Sequence, residues 1–99
     1  MSITGTRTAD GGLLTISVDE RFDFSAHDQF RRAYEGAVRP SRCIVDLART
    51  EYMDSSALGM LVILRDHLGQ NTPITLRDPR PAVRQVLTVA NFQQLFEIA

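Results

Sequence analysis

The feature that most constrains this 99-residue chain is the alternation of short apolar runs with segments of helical periodicity. Leu13 to Val18, Arg42 to Leu47 and Thr72 to Leu76 read as strands, and each is followed by a stretch whose apolar residues recur every three or four positions. Strands alternating with helices predict an α/β layer structure with a mixed sheet. Ile3 to Thr8 adds an edge strand at the start. Asp10-Gly11-Gly12 then makes a hairpin turn, since both glycines accept positive φ. The predicted order is β-β-α-β-α-β-α-β, with residues 1–99 forming one domain. A chain of this length buries roughly two thirds of its unfolded surface.

The individual elements follow from local chemistry. Leu14, Ile16 and Val18 share one face of the second strand, and Asp19 to Asp23 read as a polar loop with one aromatic, Phe22. Ser25 is a candidate N-cap for the first helix, with Asp28 three residues on. Ala26, Phe30, Ala33, Tyr34 and Ala37 mark its buried face, and Gly36 and Pro40 stop it. Arg42 to Leu47 is nearly all apolar, which predicts a strand covered on both faces. The second helix opens at Asp54-Ser55-Ser56, runs to about Leu68 and ends at Gly69. Pro79 and Pro81 bracket the entry to the third, which carries an Ala82, Val83, Val86, Leu87 and Ala90 stripe, with Asn91 just past its end. Phe92, Leu95, Phe96 and Ile98 form an apolar tail suited to a last short strand.

Composition narrows the function. A net charge of −1 gives no electrostatic reason to bind nucleic acid or an anionic membrane. The single cysteine, Cys43, lies in an apolar run and reads as a small buried hydrophobe; a reducing compartment suits it. Met1-Ser2-Ile3-Thr4 lacks the basic end and apolar stretch of a signal peptide, and Met60 to Leu64 is too short to span a bilayer. A cytoplasmic location is the expectation. Two His, one Cys and scattered acids show no metal-ligand spacing, and no cofactor site is predicted. Arg77-Asp78-Pro79-Arg80 reads as a solvated charged turn. Catalysis by Ser55 with His67 is excluded by reach, because twelve helical residues separate them by roughly 18 Å at 1.5 Å per residue. His27 is a lone polar residue on the first helix.

The second helix carries the functional signal. On a wheel of about 100° per residue, Ala57, Leu58, Leu61, Leu64 and Leu68 form the buried face, with Arg65 at its margin. The other side holds Ser55, Ser56, Gly59, Ile63, Asp66 and His67, flanked by Met60 and Val62. Small and apolar groups where charge is expected suggest a protein-docking patch; scattered surface apolars are the alternative. Asp54, Ser55 or both are candidates for the N-cap, and Ser55 is alternatively a modification site. A phosphate there would meet the positive end of the helix and would add about −1.5 to −2 charges to the patch.

Met53-Asp54-Ser55-Ser56-Ala57-Leu58-Gly59 resembles the signature of the STAS domain of bacterial anti-sigma-factor antagonists. Val45-Asp46-Leu47, Asp23 and Pro81-Ala82-Val83-Arg84-Gln85-Val86-Leu87 extend the likeness along nearly the whole chain. The resemblance implies a STAS-like mixed sheet packed with helices and a non-catalytic switch. In that switch Ser55 is phosphorylated by a partner anti-sigma factor with serine-kinase activity and reset by a serine phosphatase. The implied partner-binding residues are Asp23, Asp54, Ser55, Ser56, Gly59, Met60, Val62 and Ile63. Two other roles fit the same resemblance: a subunit of a lipid-transport ABC complex, and a partner of a two-component response regulator with kinase or phosphatase output. Ala57 departs from the family's usual glycine, and Glu20 from a glycine in the loop before Asp23, so that loop is expected to differ in shape. The chain stops where many relatives continue into a fourth helix. This leaves Phe92, Leu95 and Phe96 for self-association as a homodimer.

Overall fold

The computed structural model describes residues 3–36 and 39–99. Met1, Ser2 and Ala37, used above, lie outside the described residues. The strands are β1 (Ile3–Arg7), β2 (Leu13–Val18), β3 (Arg21–Phe22), β4 (Arg42–Asp46), β5 (Tyr52–Met53), β6 (Ile74–Arg77) and β7 (Glu97–Ile98). The α-helices are α1 (His27–Tyr34), α2 (Ser55–Leu68) and α3 (Pro81–Val89). Five strands form one sheet in the order β1-β2-β4-β6-β7. The β1–β2 hairpin is antiparallel and every later pairing is parallel. The mixed α/β architecture is the one predicted from the alternation.

Burial alternates strictly along the central strands. Leu14, Ile16 and Val18 of β2, Cys43 and Val45 of β4, and Ile74 and Leu76 of β6 join one cluster with the buried residues of all three helices. Ile44 and Thr75, on the other face, are only half-buried. This corrects the expectation for Arg42 to Leu47. The sheet is covered by helices on one face, and the near-continuous apolar run reflects one extra isoleucine rather than a second layer.

The hairpin closes as predicted, but only Gly11 uses positive φ (73°). Gly12 instead donates its N–H to the Asp10 carboxylate. Gly5 on β1 allows a close crossing of α1: a Cβ there would lie 2.7 Å from the Ala33 carbonyl oxygen. Asn91 takes the left-handed conformation (φ 60°) that ends α3.

Three local expectations are corrected. Asp19 to Asp23 is not all loop, because Arg21–Phe22 pairs in parallel with Tyr52–Met53 in a separate two-stranded ladder. Ser25 is not a helix cap. It lies in a 3₁₀ turn, Phe24–Ala26, that is capped by Asp23, and α1 starts afterwards at His27. The apolar tail is mostly a 3₁₀ turn (Phe92–Gln94), with β7 reduced to two residues. Phe92 and Phe96 are buried in the core, so only Leu95 of the three proposed self-association residues remains exposed. No helix among the described residues is long and apolar enough to cross a membrane.

Candidate docking site

The small ladder builds the site. Phe22 lies opposite Met53, and both side chains are core. The residues that follow them, Asp23 and Asp54, therefore leave the ladder side by side. Each caps the turn it starts. The Asp23 carboxylate accepts the N–H and hydroxyl of Ser25. The Asp54 carboxylate accepts the Ala57 N–H at 3.1 Å, and Asp54 holds the extended backbone of an N-cap. Of the candidates for the cap of α2, the structure assigns the role to Asp54. The Ser25 hydroxyl, then Arg21, hold the Asp23 carboxyl below its ordinary pKa. Arg21 also lies over the Tyr52 ring at 4.5 Å, which ties the two strands of the ladder together.

Ser55 is the first residue of α2 and is exposed. Since Asp54 does the capping, the Ser55 hydroxyl is not needed to hold the helix. It projects at the positive end of the helix dipole, where an added phosphate would be tolerated locally. Ser56 is half-buried, and Gly59 one turn on is exposed, with nothing within 4 Å of where a Cβ would stand. Ile63, one turn further, is 52% exposed. Ser55, Gly59 and Ile63 thus form an open ridge along α2. Val62 is half-buried against the core.

Met60 is a correction. It is 5% exposed and belongs to the core, so it cannot contact a partner. The buried arc of α2 takes in Ala57, Met60, Leu61, Leu64 and Leu68, a wider stripe than the wheel assigned. α2 packs against both the sheet and α1, and two neighbours bury a broader arc than one. Leu58, assigned to the buried face, is half-buried and looks into a groove.

That groove was missed in the sequence. It holds about 500 Å³ between the start of α2 and α3, and Asp54, Ser55, Leu58, Val86 and Val89 line it. Val89 is 77% exposed. The α3 stripe gave the available signal: Val89 is the valine of that helix left off the buried face. Phe24 is a second exposed apolar group, 71% exposed and stacked on His27. It stands two residues beyond Phe22, at the same end of the molecule as Ser55.

The remaining candidates are accounted for structurally. His67 packs on the Tyr34 ring (5.1 Å), at the far end of α2 from Ser55. Among the described residues no group of three His, Cys, Asp or Glu side chains is placed to hold a metal. Arg77 pairs with Asp46 at 3.1 Å, and Arg80 donates to the Ala48 carbonyl, so the charged turn braces the sheet. Cys43 is fully buried, and burial pushes its thiol up to about 12, as fits a hydrophobe. The Glu20 carbonyl accepts the N–H groups of both Glu51 and Tyr52, which shapes the loop before Asp23.

A mixed sheet with helices on one face is a STAS-type layout. The chain belongs to the STAS family: the family described as "Mlab, STAS domain" matches residues 6–97. It is 52% identical, over the full length of both chains, to a STAS-domain containing protein of Pseudomonas aeruginosa (strain UCBPP-PA14). Among solved structures it resembles the unphosphorylated anti-sigma factor antagonist SpoIIAA (TM-score 0.78, 22% identity, 99% of this chain and 88% of that one). It also resembles the phosphorylated form of SpoIIAA from Bacillus (0.70, 21%, 99% and 91%). A third likeness is to an anti-sigma factor antagonist from Mycobacterium paratuberculosis (0.81, 23%, 98% and 85%). The fold is that of SpoIIAA.

Proposed function

We propose that this protein is an anti-sigma-factor antagonist, a single-domain cytoplasmic binding module switched by phosphate on Ser55. The observation that carries the reading is the position of Ser55. It is exposed at the head of α2, free of the capping duty, and on the rim of an apolar groove. Unphosphorylated protein docks the Ser55–Gly59–Ile63 ridge, with Asp23 and Asp54, on an anti-sigma factor. A partner serine kinase adds the phosphate and a serine phosphatase removes it. The module itself does no chemistry. A phosphate at Ser55 would sit beside the Asp54 carboxylate, and the complex would have to bury that charge against an apolar patch without a matching cation. Phosphorylation of the solved relative SpoIIAA supports the reading by analogy.

Capture of native partners with Ser55→Ala and Ser55→Asp baits, combined with mass spectrometry of Ser55 in cells, tests it. The expected result is phosphate on Ser55 and an anti-sigma factor held by the alanine bait alone. A response regulator recovered in its place, or an ABC ATPase held equally by both baits, replaces the proposal with one of the other two roles.

A further inference from the structure

A second pocket lies at the other end of α2. It holds about 270 Å³, and Arg42, Arg65, Gln70, Pro73, Leu95 and Glu97 line it. α2 runs 14 residues from Ser55 to Leu68, roughly 20 Å at 1.5 Å per residue, so this pocket is separate from the docking ridge. It lies where three elements meet: Arg42 begins β4, Arg65 is in the last turn of α2, and Leu95 precedes β7.

The charge arrangement is what needs explaining. Arg21, Arg31 and Arg77 each have a carboxylate partner. Among the described residues several other arginines have none, and of these Arg42 and Arg65 are brought together in one small pocket. The carbonyl end of α2 favours a cation and accounts for Arg65. It does not account for a second cation brought in by a different strand. Glu97 is the single acid of the pocket, and its Oε1 accepts the Thr75 hydroxyl at 2.8 Å. The cleft between β1 and α1 also holds two arginines, but there Arg7 is already committed to the Tyr34 carbonyl. In the Arg42–Arg65 pocket both heads are uncommitted.

We propose that this pocket binds a small phosphate monoester. Guanidinium groups match phosphate geometry through paired N–H donors. Two of them, with the Gln70 amide, supply donors for three phosphate oxygens. Pro73 and Leu95, the latter 40% exposed, form an apolar wall for the esterified group. The pocket is net positive, and a phosphate monoester offers three oxygens to the two guanidinium groups and the amide, against two from a carboxylate.

The test is titration of the full-length ¹⁵N-labelled protein with inorganic phosphate, phenyl phosphate and benzoate at constant ionic strength, followed by amide shifts. The expected result is saturable shifts at Arg42, Arg65, Gln70 and Thr72, with phenyl phosphate binding severalfold tighter than phosphate. Affinity should fall at least tenfold in Arg42→Gln and further in the Arg42→Gln/Arg65→Gln double variant. Both side chains reach solvent, so these variants are expected to fold, and an unchanged spectrum elsewhere verifies it. Shifts that stay linear with concentration, or that survive in the double variant, overturn the site. Benzoate binding as tightly as phenyl phosphate overturns the phosphate class. The outcome is independent of whether Ser55 is a switch.

Discussion

The Asp54 N–H reaches the Phe22 carbonyl across 3.4 Å, and through this contact the turn before α1 and the start of α2 are held together. Two carboxylates, Asp23 and Asp54, therefore stand at neighbouring helix heads although thirty-one residues separate them in sequence. Between them and the exposed Ser55, the site is a rigid acidic rim beside an apolar groove.

Charge at Ser55 is expected to dominate partner affinity. Ser55→Asp should weaken binding at least tenfold, which is about 1.4 kcal/mol. Ser55→Ala should bind as the unmodified protein does and should no longer respond to the kinase. Calorimetric titration of each variant with the captured partner measures both effects.

Asp54 has a structural duty that Ser55 lacks. Asp54→Ala removes the bond to the Ala57 N–H and should cost about 1 kcal/mol of stability. Asp54→Ser should retain most of it. Ser55→Ala, by contrast, should unfold within about 0.5 kcal/mol of the parent. Urea unfolding monitored by circular dichroism compares the three.

Met60 and Ile63 lie three residues apart on α2 and should behave in opposite ways. Met60→Ala empties a core position and should destabilise by about 2–5 kcal/mol. Ile63→Ala should change stability by less than about 0.5 kcal/mol while weakening partner binding. Paired unfolding and binding measurements decide this.

The two glycines Gly5 and Gly59 should likewise diverge. Gly59→Ala meets empty space and should stabilise α2 by about 0.8–1 kcal/mol, at the expense of close partner approach. Gly5→Ala places a methyl 2.7 Å from the Ala33 carbonyl oxygen and should destabilise by about 1–3 kcal/mol. Melting temperatures of the two variants should move in opposite directions.

Alkaline pH should weaken the fold through Cys43. Its folded pKa, about 12, lies well above the ordinary thiol value, because burial disfavours the thiolate. The unfolded chain then binds fewer protons above pH 9, so stability is complete below that pH and is lost as pH rises towards 12. Burial raises the Tyr34 pKa as well, with the same sign. Cys43→Ala should flatten the decline between pH 9 and 11, and adding Tyr34→Phe should flatten it further. Denaturant midpoints across that range provide the check.

Much of the fold is legible in the residues alone. Strand β2, the α2 boundaries from Ser55 to Leu68 and the left-handed Asn91 all follow from local pattern, because periodicity and caps act over a few residues. The hairpin at Gly11 belongs with them. Ser55 as the head of an oddly uncharged helix face was legible for the same reason. Other features depend on what packs where. The wheel misjudged Met60, because the width of a buried arc is set by how many neighbours surround the helix. The β3–β5 ladder joins segments thirty-one residues apart, too short to show as strands, so the placing of Asp23 beside Asp54 had no local signature. The groove beside Val89 and the pocket shared by Arg42 and Arg65 also arise only once distant elements meet. Local chemistry determined the elements and the candidate serine; tertiary packing decided which side chains reach solvent together, since exposure is a property of neighbours that sequence distance does not encode.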